Sequence, residues 1–155
     1  MITGADELCL NDLKGKYRAL CIDYGDKRVG VAISDINWKI ASPLVILESH
    51  GVYNRLLEII NEQKVGVIVI GAPLALNGGT SGNQLEKVKK FVENLEKKIE
   101  KPIIMWDERL STHGANRLLT NACITKSKRK NYIDKVAASF ILEGFLHYCK
   151  IIDMM

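Results

Sequence analysis

The sequence predicts an α/β fold: a mixed five-stranded sheet, three antiparallel strands and then parallel strands, flanked by helices. Three observations carry this. Residues 19–22 (Ala-Leu-Cys-Ile) and 65–70 (Val-Gly-Val-Ile-Val-Ile) are short, wholly apolar runs, which mark strands buried on both faces. Residues 29–34 alternate and follow the first run through a turn at 25–27, as a hairpin would. After residue 50, helical periodicity and apolar runs alternate along the chain, the pattern of α/β units with parallel strands.

Taken in order, residues 1–16 are mixed and polar and read as a leader or short helix. The first strand, 19–22, runs directly into Asp23. On the second, Val29, Val31 and Ile33 share one face and Gly30, Ala32 and Ser34 the other; so small a face admits a closely packed helix. Residues 39–47 form a third strand, and Pro43 favours an edge position for it. Ser49 is placed to cap a helix over 52–63 that buries Leu56, Leu57, Ile59 and Ile60. Strand 65–70 ends at Gly71-Ala72-Pro73, and the loop 74–82 is too rich in glycine for regular structure. Ser81 with Gln84 has the spacing of a capping box. It opens a helix with Leu85, Val88, Val92, Leu95 and Ile99 on one face. Pro102 ends that helix, and strand 103–106 leads into Asp107-Glu108-Arg109. A helix from Ser111 or Thr112 through Leu119, a basic loop at 125–131 and a final helix over 132–149 complete the chain, in the order βββαβαβαα.

At 155 residues, with 47% hydrophobic and 26% charged residues, the chain has the size and balance of one globular domain. No run approaches the roughly 18 apolar residues that span a bilayer, and residues 1–12 do not resemble a secretory signal. Cys9, Cys21, Cys123 and Cys149 include no Cys-x-x-Cys pair, and His50, His113 and His147 are scattered. A zinc site or disulfide framework is therefore not expected, and a reducing, cytoplasmic location is. The net charge of +4 is unevenly spread: no acid lies between Glu108 and Asp134, while Arg109, Arg117, Lys126, Lys128, Arg129 and Lys130 do. A one-signed segment suggests an anionic partner.

Acids stand at the ends of two apolar strands, Asp23 on the first and Asp107-Glu108 on the last. A third, Asp134, lies in the final helix on the arc of Ile133, Ala137, Ile141 and Phe145. Each has an ordinary reading. Asp23 can begin a turn, Asp107 or Glu108 can cap the next helix or pair with Arg109, and Asp134 can favour a helix N-terminus. Acids on apolar arcs nonetheless need partners, and Ala137 and Ala138 would let the helix carry Asp134 close to the sheet. Clustered carboxylates need a cation, and oxygen ligands without His or Cys favour Mg²⁺ or Mn²⁺. Two such ions roughly 3.5–4 Å apart suit phosphodiester hydrolysis, with the basic segment facing the phosphate backbone.

Several motifs recur together in one order: Asp23-x-Gly25-x-Lys27-Arg28-Val29-Gly30, Gly71-x-Pro73 before a glycine-rich loop, and Trp106-Asp107-Glu108-Arg109-Leu110-Ser111-Thr112. Lys128-Arg129-Lys130 and Asp134-x-x-Ala137-Ala138 follow. Over roughly residues 17–150 this combination resembles the YqgF/RuvX family, Holliday-junction-resolvase-like nucleases of bacteria with an RNase H-like fold. The resemblance implies a metal-dependent endonuclease maturing the 5′ end of pre-16S ribosomal RNA. It implies Asp23, Glu108 and Asp134 as catalytic metal ligands for two ions, with Asp107 a substitute or helper for Glu108. Lys27, Arg28, Arg109, Lys126, Lys128, Arg129 and Lys130 would hold the substrate strand. Ala72 stands where the family often has a larger apolar residue, and residues 1–16 and 151–155 lie outside the match as leader and tail.

Three other readings compete. An actin-like or sugar-kinase ATPase shares the hairpin but needs a second domain, for which 155 residues leave no room. A resolvase of branched DNA would use the same acids, and a binding module would have lost catalysis. Nucleic acid is the expected partner, pre-ribosomal RNA before branched DNA, with no membrane and with the protein a monomer or homodimer.

Overall fold

The computed structural model describes residues 7–72, 81–107 and 126–153, except for the side chains of 7–9, 81–82 and 126–135. The elements are α1 (Glu7–Leu13), β1 (Arg18–Tyr24), β2 (Arg28–Ser34), β3 (Ala41–Glu48), α2 (Val52–Glu62), β4 (Val65–Ala72), α3 (Ser81–Glu96), β5 (Ile103–Asp107) and α4 (Lys126–Asp153). The strands form one sheet in the order β3-β2-β1-β4-β5. β1 pairs antiparallel with β2 and parallel with β4, β2 antiparallel with β3, and β4 parallel with β5.

The apolar runs occupy the middle of this sheet because only there are both faces covered. Every residue of β4 is buried, whereas β3, carrying Pro43, forms an edge and is largely exposed. The alternation of β2 separates two cores. Val29, Val31 and Ile33 join Leu20, Ile22, Ile68 and Ile70 beneath α2 and α3. On the other face Ala32 lies with Ala19, Cys21, Val67 and Val69 against Ala138, Ile141, Leu142 and Phe145 of α4. Small residues on both sides of that second contact let the long helix lie close. Ser34, buried at the end of β2, accepts a hydrogen bond from the Ala19 amide and donates one to the Asp35 carbonyl, both at 2.8 Å.

Several local expectations are corrected. Ser49 does not cap α2; Gly51 precedes that helix in a left-handed conformation, φ +71°, with no side-chain cap. Gln84 directs its amide nitrogen to the Tyr24 carbonyl at 3.2 Å. The basic residues 126–130, expected in a loop, are helical and belong to α4. Lysine and arginine are good helix formers, and no glycine or proline intervenes before Tyr132. Of the leader or short helix expected over 1–16, the structure has the helix, and α1 packs Leu10 into the α4-side core. Lys14 pairs with Asp153 at 2.7 Å, and α4 runs through residues 151–153 of the segment read as a tail. Of the glycine-rich loop expected over 74–82, residues 74–80 lie outside the described residues and 81–82 are helical, in α3; the helix expected from 111 or 112 to 119 also lies outside them.

Candidate active site at the strand ends

Because β1, β4 and β5 are parallel, their C-terminal ends share one edge of the sheet, and the β1–β2 turn lies there too. Asp23 is the next-to-last residue of β1 and half-buried. Alternation gives it the face of Ala19 and Cys21, the face covered by α4. Its partner on β2 is Gly30, and the β1–β4 register, Ile22 with Ile70, sets it level with Gly71 on the other side. Neither neighbour has a side chain. Beyond them stand Ile46, paired with Gly30, and Trp106, paired with Gly71. The carboxylate thus rises from a strip of bare backbone with larger residues only at its two ends. A pocket of about 100 Å³ lined by Asp23, Tyr24, Gly25, Arg28, Gly30 and Ile46 opens beside it.

The turn after Asp23 is held from two sides. Ser49 Oγ donates to the Gly25 carbonyl at 2.6 Å, and the Ser49 amide donates to the Lys27 carbonyl at 3.0 Å. From α3, Gln84 donates to the Tyr24 carbonyl and Lys87 pairs with Asp26 at 3.0 Å, while Phe91 stacks on Tyr24 with ring centroids 4.6 Å apart. Gln84, Lys87 and Phe91 follow helical spacing and so present one face to the turn. Lys27 and Arg28 are exposed on this hairpin.

Of the expected acids, Asp107 ends β5 but shares the face of Met105 and of its partner Ala72, beneath α2 and α3. It lies on the opposite face of the sheet from Asp23 and two strands away, roughly 10 Å. Asp134 occupies α4 one turn before Ala138. The Lys14–Asp153 pair pins the far end of that helix beside the start of β1, so α4 runs back across the sheet towards the Asp23 end. Trp106 packs on the same helix, 5.8 Å from Phe145 and 5.4 Å from Tyr148 between ring centroids. Glu108 and Arg109, and the side chains of Lys126, Lys128, Arg129, Lys130 and Asp134, lie outside the described residues. Among the described residues no three His, Cys, Asp or Glu side chains gather as a metal site, and no helix is long and apolar enough to cross a membrane. Sequence reasoning missed Ser49 and Gln84 as holders of the turn. Both had local capping explanations, and nothing in the chain's order marks a bond across 24 or 60 positions.

A mixed sheet in the order β3-β2-β1-β4-β5, with an acid near the end of its central strand and a long helix across one face, is an RNase H-like fold. In fold it is similar to RuvC of Thermus thermophilus, solved alone and in complex with a Holliday junction substrate. The complex superposes with a TM-score of 0.53 over 85% of this chain and 95% of that one, at 10% identity. The family model described as RuvX, Holliday junction resolvase, matches residues 17–148, and the chain belongs to that family. It is 45% identical over 133 residues to a protein of Thermoanaerobacter pseudethanolicus, and 44% identical over 133 residues to one of Desulforamulus reducens. These matches cover 83% of this chain and 95% and 96% of the relatives, both named "Putative pre-16S rRNA nuclease".

Proposed function

We propose that this protein is a divalent-metal-dependent endonuclease that hydrolyses phosphodiester bonds in the 5′-end maturation of pre-16S ribosomal RNA, in the cytoplasm. The observation that carries the reading is Asp23, held at the common strand end between Gly30 and Gly71, in a chain so similar to relatives bearing that name. The donor chemistry fits a hard cation. Asp23 is a carboxylate with open backbone on both sides, and among the described residues that line its pocket there is no imidazole or thiol.

Asp23, Glu108 and Asp134 would together hold two Mg²⁺ or Mn²⁺ ions. Bound there, the ions would supply a nucleophile at neutral pH and neutralise charge on the leaving oxygen. Asp107, on the other face, is left out of this set, which favours Glu108 as the β5-side ligand. The bare strip beside Asp23 leaves room for a phosphate to approach its carboxylate. Lys27 and Arg28, on the adjoining turn, would hold the strand on one side. Arg109, Lys126, Lys128, Arg129 and Lys130 would supply further cations for backbone phosphates. Such contacts position a strand without reading its bases and make affinity fall with salt.

Cleavage of a four-way DNA junction is the second reading, favoured by the likeness in fold to RuvC. Purified protein with Mn²⁺, given a pre-16S ribosomal RNA precursor and a four-way DNA junction side by side, separates the two. Faster cleavage of the precursor, at its 5′ side, is expected; faster cleavage of the junction would overturn the assignment of substrate. Sedimentation during the same experiment distinguishes monomer from homodimer.

A further inference from the structure

The turn that follows Asp23 is a tight hairpin whose carbonyls find their partners outside the hairpin. Tyr24 O accepts from Gln84 Nε2 at 3.2 Å, Gly25 O from Ser49 Oγ at 2.6 Å, and Lys27 O from the Ser49 amide at 3.0 Å. The partners come from opposite sides. Ser49 follows β3 directly, and Gln84 lies in the first turn of α3. The 2.6 Å bond is short even for a hydroxyl donor, and Ser49 is bound through both its side chain and its backbone. Between the two holding points the turn has little freedom, and Asp23 is one residue before the first of them.

We propose that Ser49 and Gln84 are positioning residues: they fix the backbone of residues 24–27 so that the Asp23 carboxylate is presented to a divalent cation in one orientation. The inference rests on the reading of Asp23 as a metal ligand. A carboxylate at a strand end is aimed by its backbone, and its strand neighbours Gly30 and Gly71 offer no side chain to brace it. The turn, held by Ser49 and Gln84, sets the course of that backbone. Removing the Ser49 hydroxyl strips the Gly25 carbonyl of its short bond and leaves Ser49 holding the turn through its amide bond to the Lys27 carbonyl. Partners of this kind, which orient a ligand without touching the metal, change metal affinity by about tenfold or more when removed.

The two residues also differ in what they connect. Gln84 lies in the first turn of α3, which begins at Ser81 within the glycine-rich stretch Asn77-Gly78-Gly79-Thr80-Ser81-Gly82. Its bond to Tyr24 therefore joins the start of α3 to the Asp23 strand. Ser49 joins the same turn to the edge strand β3.

The test is Mn²⁺ binding read by electron paramagnetic resonance on full-length wild type, Asp23→Asn, Ser49→Ala, Ser49→Thr and Gln84→Ala, without nucleic acid. Thermal melts of each show that it is folded. Expected are loss of the tightest Mn²⁺ binding in Asp23→Asn, about tenfold weaker binding in Ser49→Ala and Gln84→Ala, and recovery towards wild type in Ser49→Thr, which keeps the hydroxyl. If Asp23→Asn binds Mn²⁺ like wild type, the metal-site reading itself fails. If Asp23→Asn loses binding while Ser49→Ala and Gln84→Ala, folded, bind as wild type, the positioning role is wrong and the metal site stands. Equal weakening in Ser49→Ala and Ser49→Thr would also overturn it, because the hydroxyl would then not be the cause.

Discussion

The first residue of the turn after Asp23 has no room for a side chain. A Cβ built on Gly25 stands 2.6 Å from the Arg28 carbonyl oxygen, inside the 3.0 Å that real Cβ atoms respect. The obstacle is backbone, so it cannot swing aside as a flexible side chain would. Nor can the turn yield freely, since Gln84 and Ser49 hold the carbonyls of Tyr24, Gly25 and Lys27. Relief of several tenths of an ångström breaks or stretches one or two of these bonds, each worth roughly 0.5–1.5 kcal/mol. With the cost of crowding a packed site, Gly25→Ala should lose about 1–3 kcal/mol of stability. The displacement also reaches Asp23, two residues upstream, and misplacement of a reacting group by about 1 Å can cost 10²-fold in rate. We expect cleavage at least about tenfold slower. Gly51→Ala is the control. Gly51 has φ +71° and nothing within 4 Å of its built Cβ, so its substitution costs about 1–2 kcal/mol of backbone strain alone. Urea denaturation and single-turnover cleavage on the same preparations compare the two. Comparable destabilisation with cleavage lost only in Gly25→Ala is the expected result. Wild-type cleavage by Gly25→Ala, or equal loss in Gly51→Ala, would refute the argument.

Asp35 gives a pH signature away from the site. Partial burial pushes its carboxyl up, but the amides of Ile40, Lys39 and Asn37, with its own, outweigh that and hold it below the usual carboxylate value. A depressed folded value means its stabilisation is present above the unfolded pKa of about 3.9 and is lost as pH falls through the folded one. Asp35→Asn should therefore be less stable than wild type at pH 7, with the gap closing below about pH 4. Urea midpoints across that range check it, and a gap that widens on acidification contradicts it. At the site, Asp107→Asn should retain cleavage within a few-fold because Asp107 faces α2 and α3, whereas Glu108→Gln should lose more than about 100-fold. The reverse order, in single-turnover rates at saturating Mn²⁺, would mean that the face of Asp107 does not decide its role.

Much of this architecture is legible in the chain because it rests on patterns local in sequence. The run 19–22 identifies the central strand because four consecutive apolar residues need cover on both faces, and Pro43 identifies the edge because it cannot donate to a ladder. The division of β2 into Val29, Val31 and Ile33 against Gly30, Ala32 and Ser34 anticipates which core receives the long helix. Ser49 is different. Its hydroxyl before a helix satisfies the capping rule and equally a bond to Gly25, and only the folded hairpin decides between them. The charge of residues 125–131 suggests a loop, yet lysine and arginine are sound helix formers, and from Lys126 onward helix propensity prevails over the solvation of a basic run. The distinction between Asp107 and Glu108 was open in the sequence because parity names a face only once a strand's neighbours are known. The register of Ala72 with Asp107 supplies that.

The most direct test of the account is single-turnover cleavage of a pre-16S ribosomal RNA precursor by Asp23→Asn in saturating Mg²⁺. This change keeps the size of the side chain and removes the charge on which the proposed cation binding depends. A folded Asp23→Asn protein that still binds the RNA but cleaves it more than about 100-fold more slowly is the predicted result. Cleavage at the wild-type rate would contradict the claim that the acid at the end of the central strand holds the catalytic metal.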